Sequence, residues 1–91
     1  MIDKIKLGKK ELAGYITVDA GLVQLGDPCY EVNSMEEIEF DDEGDGIYEV
    51  GEGKAITVQT GYGDGVFPVY VRRDQRGAIL ELTVDLNPFK S

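Results

Sequence analysis

Ala55-Ile56-Thr57-Val58-Gln59, Thr60-Gly61-Tyr62-Gly63-Asp64-Gly65 and Val66-Phe67-Pro68-Val69-Tyr70-Val71 follow one another without a gap. The outer two runs are β-branched and aromatic and alternate with period two, which is the signature of half-buried strands. The middle run sets three glycines between Tyr62 and Asp64, a composition that turns a chain rather than extending it. Strand, glycine loop, strand is the reading that decides the fold class. In the second strand Phe67, Val69 and Val71 are expected to face a core, with Tyr70 and Arg72 outward. Pro68 lacks a ladder donor, so an edge or a bulge is its expected place.

The pattern continues on both sides. Downstream, Asp74-Gln75-Arg76-Gly77 is a turn. Residues 78–86 then form the longest predicted strand, with Leu80, Leu82, Val84 and Leu86 on the core face and Glu81, Thr83 and Asp85 opposite. Upstream, Ile47-Tyr48-Glu49-Val50 is a short strand closed by Gly51-Glu52-Gly53. Leu12 to Val18 is a strand with Ile16 and Val18 inward. Asp19-Ala20-Gly21 turns it into Leu22-Val23-Gln24-Leu25, so those two strands are expected to form a tight hairpin. Residues 2–7 alternate loosely and suggest one more strand. Ser34-Met35-Glu36-Glu37 fits a capping box, which favours a short helix running to Phe40, and the alternation of Ile38 and Phe40 fits a strand equally well. The total is about seven short strands and at most one short helix in a mainly β domain. A small antiparallel sandwich or barrel spanning residues 1–91 accommodates it.

The chain has 91 residues, one cysteine and no histidine. One domain is the natural expectation at that length. A lone Cys29 excludes an internal disulfide and a cysteine-rich zinc site. Without histidine, Ser-His-Asp and Cys-His catalysis within one chain are excluded too. Residues 1–10 lack the apolar stretch of a secretion signal, and no run is apolar enough to span a bilayer. A cytoplasmic protein is the expectation.

Net charge is −9, and residues 27–52 carry all of it: eleven of the eighteen acids lie there, with no Lys or Arg. Nucleic acid would be repelled by such a surface. Cations, basic partners or a mimic of nucleic acid fit it better, and solubility alone accounts for it equally well.

Three stretches carry candidate chemistry. Counted from Asp41, the acidic loop places Glu43, Asp45, Gly46, Glu49 and Glu52 at positions three, five, six, nine and twelve. That nearly follows a calcium-binding loop, in which oxygen ligands surround the ion and glycine at six permits the sharp turn. Asp41, Glu43, Asp45 and Glu52 are therefore the candidate ligands for calcium. Glu43 replaces a shorter residue there, and the strand-forming sequence after Glu52 replaces a helix. A solvated acidic turn is the plainer reading.

The second stretch is Gly63-Asp64-Gly65, where backbone can approach a ligand closely. An ordinary hairpin turn in which Asp64 bonds its own backbone needs nothing more. With Tyr30, Tyr62 and Tyr70, and with Arg72 close by, it makes a candidate recognition face for a protein or a small anionic ligand. Cross-strand packing of the tyrosines is the plainer alternative. The third stretch is Asp27-Pro28-Cys29-Tyr30. Cys29 has no base near it in sequence and reads as structural. Asp27 and Asp64 could act as the carboxylate pair of a small hydrolase if the fold brought them together.

Val18-Asp19-Ala20-Gly21, Gly26-Asp27-Pro28-Cys29-Tyr30 and the segment from Thr60 to Val71 together resemble small uncharacterised bacterial and bacteriophage proteins. They also resemble part of a longer bacterial domain-of-unknown-function family with a Gly-Asp-Gly-aromatic-Pro-Val-Tyr segment. The resemblance runs from about residue 18 to 86 without the acidic middle. Ala20 stands where that pattern has Ser, and Phe67 where it has Tyr. It implies a bacterial or phage setting and brings no activity or catalytic residue. The residues favour binding over catalysis: a binding module first, a calcium-binding protein second, a carboxylate hydrolase third.

Overall fold

The computed structural model describes residues 6–32, 38 and 44–88. Among these the protein is all-β, with six strands in two three-stranded sheets. The strands are β1 Glu11–Val18, β2 Leu22–Gly26, β3 Ile47–Val50, β4 Ala55–Gln59, β5 Gly65–Arg73 and β6 Ile79–Val84. The sequence expectation of a mainly β, antiparallel architecture therefore holds. The predicted helix falls almost wholly outside the described residues. So does most of the first predicted strand, and Lys6 and Leu7 are not in a strand.

The chain forms two compact units. One comprises residues 1–17 with 65–91; the other is the intervening Val18–Asp64. In the first, the strand order is β1-β5-β6. β5 and β6 are antiparallel, with Val69 opposite Val84, Val71 opposite Leu82 and Arg72 opposite Glu81, and a register shift follows at Arg73. The hairpin turn is built on Asp74. Its carboxylate accepts the amides of Arg76 and Ala78 at 2.8 and 3.0 Å, while Gly77 supplies a φ of +88°. Arg73 bridges to Glu11 and donates to the Gly77 carbonyl at 2.9 Å, tying the turn to β1.

Phe67 and Val71 are buried, as alternation predicts. Two expectations are corrected here. Pro68 lies on the central strand, not an edge. Its carbonyl accepts the Asp85 amide at 3.1 Å, just beyond the last paired residues Val69 and Val84, so its missing donor costs only one bond at the end of the ladder. Leu80 and Leu82 were expected inside, but they are 48% and 56% exposed because β6 is an edge strand.

In the second unit the order is β2-β4-β3, both pairings antiparallel. β2 therefore does not form the expected hairpin with β1; it pairs with β4, and β1 belongs to the other sheet. The two faces of this sheet differ from what residue size suggests. Ala55, Thr57 and Val50 form the buried side, with Thr57 fully buried and Val50 2% exposed. Thr57 is tolerated there because its hydroxyl donates to Gln24 Oε1 at 3.2 Å. Ile56 and Leu25, on the opposite side, are half exposed.

Candidate functional site

The loop Thr60–Gly65 is a latch before it is anything else. Asp64 Oδ1 accepts the Gly21 amide at 2.8 Å. The Gly21 carbonyl in turn accepts the Thr60 amide at 2.9 Å and lies 3.2 Å from the Thr60 hydroxyl. That hydroxyl makes its shorter bond, 2.7 Å, to the Gly63 carbonyl, which folds the loop back on its own strand. Both backbone groups of Gly21 are thus held, in a residue whose φ of +68° favours glycine. The same geometry explains Thr60-Gly61-Tyr62-Gly63-Asp64 and Asp19-Ala20-Gly21 as two halves of one contact. Asp64 does not bond its own turn; its partner lies 43 residues away. Tyr62 is exposed on the loop.

Asp27 is occupied in a similar way. Its carboxylate accepts the Cys29 amide at 2.8 Å and its carbonyl accepts the Tyr30 amide at 3.0 Å. Asp27, Pro28, Cys29 and Tyr30 form a turn closing the far end of β2, with Cys29 exposed. The carboxylate of Asp64 is bound at Gly21, before β2, and Asp27 follows β2. Six steps of extended chain separate them, roughly 20 Å. The two carboxylates do not form the pair that a hydrolase would need.

The remaining predicted site residues are divided between the two units. Tyr70 and Arg72 belong to the other unit. Arg72 donates Nε to the Gly8 carbonyl at 2.8 Å and meets Glu81 at 3.1 Å; the Lys10 ammonium sits 5.2 Å from the Tyr70 ring. Among the calcium-loop residues, Asp41 and Glu43 lie outside the described residues. Asp45 accepts the Ile47 amide at 2.9 Å, an Asx turn that starts β3. Glu52 lies beyond β3 in the turn Gly51-Glu52-Gly53, where all three residues have positive φ, including 57° at Glu52 itself. β3 thus holds Asp45 and Glu52 apart. Among the described residues no group of three or more Cys, Asp and Glu side chains is arranged to hold a metal ion.

Sequence reasoning missed a cleft at the Leu25, Ile56 and Glu49 end of the β2-β4-β3 sheet. It has a volume of about 510 Å³ and is lined by Leu25, Glu49, Gly53, Lys54, Ala55 and Ile56. The register explains its floor: Leu25, Ile56 and Glu49 stand side by side across the three strands. Lys54 is the single base between Val18 and Asp64. Its ammonium lies 5.1 Å from the centroid of the Tyr30 ring. The signal available in sequence was Ile56 between two smaller residues, but alternation alone assigns the larger residue to the core.

Gly26 stands opposite Ala55 in the β2–β4 register. A Cβ there would come within 2.9 Å of both the Ala55 Cβ and the Lys54 carbonyl. The glycine before Asp27 is therefore required by the close approach of β2 and β4.

The family profile described as "Protein of unknown function (DUF4241)" matches residues 29–84. The match includes the acidic stretch and β3 to β6, and it leaves Val18-Asp19-Ala20-Gly21 outside. No curated protein and no solved structure matches the chain. With more than half of its residues matched, the chain belongs to the DUF4241 family.

Proposed function

We propose that the protein is a binding module that takes an apolar segment of a partner protein into the Leu25–Ile56 cleft, with a carboxylate of that segment meeting Lys54. The observation that carries this reading is the pairing of half-exposed aliphatic side chains with one ammonium in a cleft of about 510 Å³, a size and lining suited to a ligand. Lys54 stands out electrostatically: the segment Val18–Asp64 holds thirteen acids and this one base. A partner group of negative charge gains there only if it reaches Lys54 and avoids Glu49, which confers orientation. Tyr30 contributes an aromatic wall beside the ammonium. Tyr62 extends the same unit's recognition residues at the latch loop. Asp64 and Arg72, bonded within their own units, support the loops rather than the ligand.

The test is selection from a random dodecapeptide library on the immobilised chain, followed by titration of the enriched peptides. Ile56→Arg and Lys54→Glu should each weaken binding at least about tenfold, equivalent to about 1.4 kcal/mol. A Tyr62→Ala variant that abolishes binding while Ile56→Arg leaves it intact would move the site to the latch loop. No enrichment at all would sink the reading.

A further inference from the structure

We infer that the β1-β5-β6 sheet is completed by a second copy of this chain, through antiparallel pairing of β6 with its own equivalent about Leu82. The first observation is the open edge. β6 ends the strand order and, among the described residues, has no neighbour on its outer side. It carries neither of the residues that usually protect an edge, Lys or Pro, and its one charge is Glu81.

The second is the direction of its backbone groups. The Asp85 amide bonds the Pro68 carbonyl, and Val69 stands opposite Val84. In an antiparallel ladder hydrogen-bonded and non-bonded pairs alternate. Thr83 opposite Tyr70 therefore directs its N–H and C=O at β5, whereas Leu82 and Val84 direct theirs at the open edge. The third is the face. Leu82 stands opposite Val71, which is buried, yet Leu82 is 56% exposed. It lies on the same side of the sheet as Val71 and, among the described residues, has no strand beside it on the outer edge.

Charge selects the register. Centred on Leu82, the two strands set Leu82 against Leu82 as a hydrogen-bonded pair. Glu81 then faces Thr83, and Val84 reaches Leu80. Centred on Glu81, they oppose two glutamates; centred on Thr83, they oppose Glu81 and Asp85. Of the registers centred on residues 81 to 83, the Leu82-centred one alone avoids like charges directly opposite one another, and it keeps the pairing within β6. Its two-fold symmetry uses the β6 edge of both chains, so pairing through β6 closes at two chains. The bulge near Leu80 ends the ladder there and keeps it short.

The experiment is sedimentation velocity on the 91-residue chain from 5 to 500 µM, together with disulfide trapping in a Cys29→Ser background. The mass should rise with concentration from 10.0 kDa towards twice that value. Leu82→Pro removes only an outward-facing donor and the apolar contact. It should stay folded by circular dichroism and monomeric throughout. Leu82→Cys should form a cross-chain disulfide under mild oxidation, since Cα atoms of a hydrogen-bonded pair lie about 5.5 Å apart. Glu81→Cys, offset by two residues from its equivalent, should cross-link at least about fivefold less. A chain that stays monomeric at 500 µM overturns the inference. So does a dimer that survives Leu82→Pro, or cross-linking that favours position 81.

Discussion

Asp64→Ala is the substitution that most directly separates a latch from a ligand contact. The variant removes the acceptor of the Gly21 amide, a 2.8 Å bond to a carboxylate. Bonds to charged groups contribute about 1.5–3 kcal/mol when well buried. Asp64 is exposed and Gly21 partly so, and water can replace much of the lost bond. The closest measured analogue is a carboxylate capping exposed helical amides, whose loss costs about 1 kcal/mol. We therefore expect a loss of about 1 kcal/mol, a fall in Tm of about 4–8 °C. Asp64→Asn keeps an acceptor and should lose about half as much.

Native-state amide exchange gives a local readout: the Gly21 amide should exchange about fivefold faster, the factor that 1 kcal/mol implies. Thr60→Val attacks the same latch from the other side, since Thr60 also bonds Gly21. The double variant should depart from additivity by at least about 0.5 kcal/mol. A Tm for Asp64→Ala within about 1 °C of the parent, with Gly21 exchange unchanged, would refute the latch.

Gly26→Ala should cost about 1–3 kcal/mol through its clash with Ala55 and the Lys54 carbonyl. Gly63→Ala, where the added methyl meets open space but φ is +78°, should cost about 1 kcal/mol in urea unfolding. Thr57→Val should change stability by less than about 1 kcal/mol. The partner of its hydroxyl, Gln24, is exposed and can turn to water, so chemical denaturation checks whether the buried hydroxyl is dispensable. With β3 between Asp45 and Glu52, millimolar Ca²⁺ and Mg²⁺ should raise the melting midpoint equally, by screening the acidic segment. A rise confined to Ca²⁺ and lost in Asp45→Asn would instead establish a specific ion site.

Much of the strand content was legible because period-two alternation survives without knowledge of neighbours. Residues 55–59 and 65–73 were read almost to their ends. What alternation does not specify is whether anything covers a face. Leu80 and Leu82 mark one side of β6 correctly, but an edge position leaves that side open. In β4 the larger Ile56 faces outward while Ala55 and Thr57 face in, because the buried side has room for small residues only where Val50 and Gly26 approach.

Pairing was the least legible level. Gly21 reads as a hairpin turn because the next strand follows at once, yet its hydrogen bonds go to Thr60 and Asp64. The cleft required the pairing first: Leu25, Ile56 and Glu49 are remote in sequence and adjacent only in register.

The latch at Gly21 and Asp64 also bears on how this chain tolerates change. It ties together the two ends of the segment Val18–Asp64, so whatever lies between is anchored at its base. Closing such a segment becomes only slowly harder as it lengthens: doubling its length costs about 0.6 kcal/mol. Insertions and deletions between Gly21 and Asp64 are therefore cheap wherever they spare the β2-β4-β3 pairing.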